Sequence, residues 1–226
     1  VSAFLLNRSS DLLVVIAHEV RKAGDPLEKP GLIGAFCRAY TIEEAIEKFL
    51  PEAYERTATE GRYTYKLGSV AGGLVCYSGK FAYSHHETDP ASRQLCNAFD
   101  LCRIHLFGLQ DEGAETKDIT RLPSYLKMQD FAAADKGVKS IMAKERRERA
   151  NNDFADLDLS DTADSTDWQN AFEYDRKGAI KETIETRKLI PANDPHFRAV
   201  KYDVFAQRDI IDIEAVLRQG KSEAHQ

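Results

Sequence analysis

The sequence predicts an α+β fold in which helices pack on a small antiparallel β-hairpin or sheet. Three observations carry this. Thr41, with Glu44 three residues on, forms a capping box that opens a helix running to Pro51. After Gly61 the apolar period changes to two, and Leu74–Tyr77 and Phe81–Ser84 flank the turn Ser78-Gly79-Lys80 as a short-loop hairpin. At Asn97, with Asp100 three residues beyond, a second capped helix begins.

The remaining elements follow in chain order. Ser9 or Ser10 caps a helix that ends near Gly24, and DPLEKPG is a loop. In the capping-box helix Ile42, Ala45, Ile46, Phe49 and Leu50 share one face, so that face points to a core. Tyr63 and Tyr65 alternate with polar residues as a strand does, and Gly72-Gly73 turns the chain into the hairpin. Gly108 is placed to end the helix begun at Asn97. Another helix starts at Leu122-Pro123-Ser124-Tyr125 and runs to about Ala134, and a further one runs from about Gly137 to Ala150. GAIKETIETRKLIPANDPHF predicts a helix and a proline-bounded loop, and Ala199–Ile213 one or two short strands. The domain reading is therefore an α+β connector domain over 1–150, an acidic flexible linker over 151–167, and a segment of helix and short strands over 168–226.

Charge sharpens the division. The 226 residues carry a net charge of -6, which argues against non-specific nucleic-acid binding by the whole surface. The distribution is uneven: Lys139–Arg149 is rich in bases, whereas Asp153–Asp167 holds aspartates and no base, the pattern of a solvated connector. The longest apolar run, Leu12–Ala17, is far short of the roughly 20 residues that cross a bilayer, so no membrane partner is expected. Four irregularly spaced cysteines in a long charged chain point to a reducing, cytoplasmic setting. The chain opens on Val1, which reads as a piece of a longer polypeptide.

The chemistry-bearing residues concentrate in Gly61–Gly108. Arg62, Tyr63, Tyr65, Lys66, Tyr77, Lys80, Phe81, Tyr83, His85 and His86 interleave aromatics with bases, a pattern that can stack nucleobases and hold phosphates. Lys80, His85 and His86 are the main contact candidates, with Arg62, Lys66, Arg93 and Arg103 as phosphate partners. Aromatic strands also arise simply from packing one face on helices. A zinc module is an alternative built on Cys76, Cys96, Cys102 and His105, since Cys102 and His105 lie one helical turn apart; no Cys-x2-Cys pair supports it. Other chemistries fail on spacing. Gly73–Lys80 is one residue too long for a phosphate loop, and Phe81 stands where a magnesium-binding hydroxyl would be. Asp156 and Asp158 lack flanking hydrophobic strands, and no nucleophile elbow is present. No cofactor and no catalytic residue is predicted.

Three segments also carry a resemblance: GAFCRAYTIEEAIEKFLP (Gly34–Pro51), GRYTYKLGSVAGGLVCYSGKFAYSHHETDPA (Gly61–Ala91) and LCNAFDLCRIHLFG (Leu95–Gly108). Together with LPSYLKM and KGAIKETIETRKLIPANDPHFRAVKYDVFAQRDI they resemble the central region of phage and prophage primase-helicase replication proteins of the virulence-associated protein E type, the segment 168–226 being similar to the lead-in to the helicase ATPase domain. The resemblance spans roughly residues 8–213; SHHETDPA and LCNAFDL are its most specific parts. It implies a non-catalytic piece of a larger protein, in a bacterial host cytoplasm. That piece would contact single-stranded or primer-template DNA and link primase and helicase modules of the same polypeptide, with a possible homo-oligomer through the helicase. The hairpin-to-helix order over Tyr77, Phe81–His86 and Asn97–Leu101 also resembles primase zinc domains with most thiolates missing. The rival expectation is a structural or protein-interaction domain without DNA contact.

Overall fold

A computed structural model describes residues 20–116, 118–153, 166–193, 200–203 and 208–211. The chain divides into two compact units, one of Val1–Lys144 with Tyr174–Ala179 and one of Glu145–Glu173 with Ile180–Gln226. The predicted α+β class holds: helices pack on a small antiparallel sheet.

In the first unit, helical backbone at 20–23 ends at Gly24, whose φ of 69° is the left-handed conformation that favours glycine. The start expected at Ser9 or Ser10 lies outside the described residues. Helix α1 (Gly31–Ala39) was not expected from the sequence, because Gly31 and Gly34 both weaken helix propensity. Packing explains Gly34: a Cβ there would sit 1.6 Å from the Lys29 carbonyl oxygen. Helix α2 (Ile42–Phe49) has the capping box at Thr41 and Glu44, and Ile42, Ala45 and Ile46 are buried as its apolar face requires.

Five strands then form a meander in the order β1 (Tyr54–Arg56), β2 (Arg62–Tyr65), β3 (Leu74–Tyr77), β4 (Phe81–Ser84) and β5 (Leu95–Asn97), each antiparallel to the next. The hairpin β3–β4 is as expected. Its turn places Ser78 and Gly79 at φ 54° and 67°, and the Lys80 N–H closes it on the Tyr77 carbonyl. The Ile42 N–H donates to the Gly79 carbonyl, so the turn is docked on the start of α2. The edge strands β1 and β5 are three residues each, too short to leave a period in the sequence.

Helix α3 (Ala98–Phe107) starts at Asn97, whose side chain accepts from the Asp100 N–H at 2.9 Å. Gly108 does not stop it in a left-handed cap; its φ is -58° and the chain continues into the 3-10 turn Gly108–Asp111. Helix α4 (Pro123–Ala134) begins at the expected proline, and α5 (Lys136–Asp153) follows after Asp135. Asp135 accepts from the Val138 N–H and from Tyr40 Oη at 2.6 Å, which fastens the start of α5 to the end of α1. Among α1–α4, Phe36, Phe49, Phe99 and Phe131 form the aromatic core, with Phe36–Phe99 and Phe49–Phe131 in edge-to-face contact at 6.0 and 5.3 Å. A turn at Tyr174–Ala179 completes the unit: Arg176 grips Asp130 of α4 with two bonds of 2.7 Å.

The second unit contains the 3-10 segment Thr166–Ala171, helix α6 (Ile184–Asn193) and the antiparallel pair β6 (Val200–Asp203) and β7 (Arg208–Ile211). One or two short strands over Ala199–Ile213 were expected. Pro191 lies inside α6 rather than bounding it. Most of the acidic connector, residues 154–165, lies outside the described residues. No helix among the described residues is long and apolar enough to cross a membrane.

Candidate nucleic-acid interface

Alternation along the strands assigns each candidate to a face. Tyr54, Tyr63, Tyr65, Leu74 and Ser84 are buried on the side covered by α2 and α3: Tyr63 Oη donates to Glu47 of α2 at 3.1 Å, and the Tyr54 ring meets His105 of α3 at 4.9 Å. The opposite face carries the row Arg62, Val75, Tyr83 and Leu95, each directly paired across neighbouring strands. Tyr77 pairs with Phe81 one step along the same face, and His85 lies one step the other way, its N–H on the Gly73 carbonyl. Arg62 and His85 are exposed; Val75, Tyr77, Tyr83 and Leu95 are half-buried. The Tyr83 and His85 rings are 4.9 Å apart. Partial burial first, then the nearby Arg62 guanidinium, lowers the His85 pKa below its ordinary value, so His85 is neutral near pH 7.

The aromatic-basic list read from the sequence is thus split by the pleat. Arg62, Tyr77, Tyr83 and His85 share one face, while Tyr63, Tyr65 and His86 point into the protein. His86 is 5% exposed, and its Nε2 bonds the Val70 carbonyl. Its ring fills a slot that only glycines permit: a Cβ on Gly73 would lie 2.3 Å from His86 Cδ2, and one on Gly68 2.7 Å from Cε1. Lys66 is exposed beyond the end of β2. Lys80 is half-buried and pairs with Asp25 at 2.5 Å, and exposed Arg93 pairs with Glu87 at 2.6 Å.

Arg103 faces inward and is 7% exposed. Its Nη1 donates to Ser124 Oγ at 2.9 Å and stands 3.7 Å from Asp111 Oδ2, while Nε is 3.6 Å from Asp100 Oδ1. Ser124 in turn donates its hydroxyl and its N–H to Asp111 at 2.6 and 2.8 Å. This guanidinium therefore ties α3 to the start of α4.

A second buried network was missed by sequence reasoning altogether. Asp89 Oδ2 accepts from Ser84 Oγ at 2.6 Å and from Tyr54 Oη at 2.8 Å. Its Oδ1 accepts from the Ala91 N–H at 2.8 Å and lies 3.1 Å from His105 Nε2. Because an ionised carboxylate only accepts, the proton of this contact belongs on His105 Nε2, which also lies 2.7 Å from the Tyr54 oxygen. Burial pushes the Asp89 carboxyl upward, but the bonds from His105, Ser84, Ala91 and Tyr54 outweigh it and hold the pKa below the usual value. The only prior signal was the pair of polar residues in SHHETDPA, five apart, with no period to mark them as buried. Ser, His and Asp meet here, yet the serine bonds the aspartate rather than the histidine, and all are buried. This is a structural tie and not a nucleophile with its base.

Burial also disfavours the thiolate form of the cysteines. Burial raises the pKa of Cys37 to about 11 and of Cys76 and Cys96 to about 12, and pushes Cys102 up as well. The zinc alternative needs Cys76, Cys96, Cys102 and His105 to converge; among the described residues no group of three or more such side chains gathers to hold a metal ion, and His105 Nε2 is turned to Asp89. Comparison with protein-family models, curated proteins and solved structures finds no match to this chain.

Proposed function

We propose that the face bearing Arg62, Tyr77, Tyr83 and His85 binds single-stranded nucleic acid, and that the chain serves as an accessory domain of a phage or prophage DNA-replication protein, linking primase and helicase modules. The observation that carries the first part is the cross-strand row Arg62–Val75–Tyr83–Leu95, which sets a guanidinium and an aromatic ring on the sheet face opposite α2 and α3. Base stacking on such a ring tolerates any sequence, and an arginine on the same row supplies the phosphate contact. The replication context rests on the resemblance carried by SHHETDPA and LCNAFDL. Ser84 and Asp89 of the first build the buried tie beneath the sheet, and Asn97 and Asp100 of the second build the start of α3. Those segments mark a fold rather than a reaction, which fits a non-catalytic role.

The test is anisotropy with a labelled oligo(dT) at low salt. Tyr83→Ala should weaken binding by about 1–3 kcal/mol, the value of one stacked base. Arg62→Ala should reduce the log–log salt slope by about 0.7, the loss of one single-strand phosphate contact. No binding at tens of micromolar protein would favour a protein-interaction domain instead. That reading has its own support in the pairing of Lys80, Arg93 and Arg103 with acids, which lowers the free positive charge near the sheet.

A further inference from the structure

A cavity of about 350 Å³ lies at the hairpin end of the same sheet face, between the segment 20–25 and the turn. Its walls are the cross-strand pair Tyr77 and Phe81, with Val20 opposite and Gly24 leaving its side open. At its rim the Asp25 carboxylate and the Lys80 ammonium stand 2.5 Å apart, and exposed Arg21 adds a second cation. Resting on the single-strand reading above, we infer that this cavity takes one nucleobase of a strand laid along the sheet.

Size, position and charge select that occupant. The volume is at the low end for a small-molecule site, enough for one ring system and too little for an oligomer. Tyr77 stands two residues from Val75 on β3, and Phe81 two residues from Tyr83 on β4, so the cavity is one step of roughly 6.6 Å beyond the Arg62–Tyr83 row. That step is comparable to the spacing of successive bases in an extended single strand. A base stacked on Tyr83 therefore delivers its neighbour to the cavity mouth. Inside, Tyr77 and Phe81 offer apolar and aromatic surface to the ring. At the rim Lys80 and Arg21 offer donors to phosphate, and the Asp25 carboxylate can accept from an N–H on a base edge. Asp25 is already held by the Leu27 N–H at 3.0 Å, which fixes its direction. A purely aliphatic ligand has no use for this combination of a paired carboxylate, cations and ring walls.

The test uses a labelled eight-nucleotide oligo(dT) against the whole chain, reading affinity and salt slope, with thermal melts confirming that each variant stays folded. Tyr77→Ala removes one wall, and Val20→Met fills the cavity without touching the Arg62–Tyr83 row or altering charge. Both should weaken binding at least threefold with the salt slope unchanged, and Tyr77→Phe should restore it. If Val20→Met and Tyr77→Ala bind as the unaltered chain does while Arg62→Ala and Tyr83→Ala are weakened, the cavity inference is overturned and the sheet-face reading stands. If the unaltered chain does not bind the oligonucleotide, both are overturned together.

Discussion

Ser84 Oγ donates to Asp89 Oδ2 over 2.6 Å, joining the end of strand β4 to the loop that follows it. The same oxygen takes Tyr54 Oη from β1, and the other takes the Ala91 N–H and faces His105 of α3. One carboxylate thus connects an edge strand, an inner strand, a loop and a helix. A buried charge is tolerated only when its lone pairs are filled, and here the four partners do so.

Asp89→Asn should cost about 2–3 kcal/mol, the scale of losing hydrogen bonds to a buried charged group, because the amide places a donor against donors. The pH dependence has a definite sign. The Asp89 pKa is depressed in the folded chain, so its contribution is complete above the unfolded carboxylate value of about 3.9 and is lost as pH falls from there through the folded pKa. Denaturant melts of the two proteins should differ fully at neutral pH and converge in acid. A gap that stays constant down to the acid limit would remove the charge from the explanation.

Gly73 and His86 form a coupled pair. Gly73→Ala puts a methyl 2.3 Å from His86 Cδ2 in a slot where the ring is fixed, so overpacking of about 2 kcal/mol is expected. His86→Ala should also destabilise, since it leaves that slot empty. In the double variant the alanine methyl occupies part of the vacated space, and the two costs should add to less than their sum. Simple additivity in a double-mutant cycle would mean that the glycine is required for another reason.

These two sites explain what was legible in the sequence and what was not. Thr41, Asn97 and Pro123 announce helices because capping acts through neighbours three residues apart, and the β3–β4 hairpin is visible because its turn and period are local. The pleat also divides Tyr63 from Arg62 in principle, yet which side meets the helices depends on α2 and α3, so His86 and Arg103 read from sequence as surface bases. Helix α1 was hidden by two glycines with separate reasons: Gly31 takes a positive φ of 69°, and Gly34 closely approaches the Lys29 carbonyl. The Ser84–Asp89–His105–Tyr54 tie joins residues as far apart as 51 positions, and nothing local records it.

The thiols should be slow to react. All four cysteines are free, and burial raises the pKa of each. With an aromatic disulfide reagent at pH 8 the folded protein should show almost no early labelling, and denaturant should release all four. Cys76 is half-buried and is the one expected to label first on slow opening. A thiol that reacts within the mixing time would contradict its placement.

Arg62 and Arg103 provide the sharpest contrast, because sequence reasoning gave both the same role as phosphate partners. Arg62 is exposed on the sheet face, whereas Arg103 is 7% exposed and bonded to Ser124 beside two carboxylates. Arg103→Ala leaves Asp111 and Ser124 without their cation and should cost about 2–3 kcal/mol of stability, the scale of a hydrogen bond to a charged group with its desolvation. Below its melting temperature it should retain the affinity and salt slope of the unaltered chain for oligo(dT). Arg62→Ala should do the reverse, with melting little changed and the slope reduced. Equal losses of binding in the two folded variants would show that Arg103 also serves the contact surface and that the sheet face does not act alone.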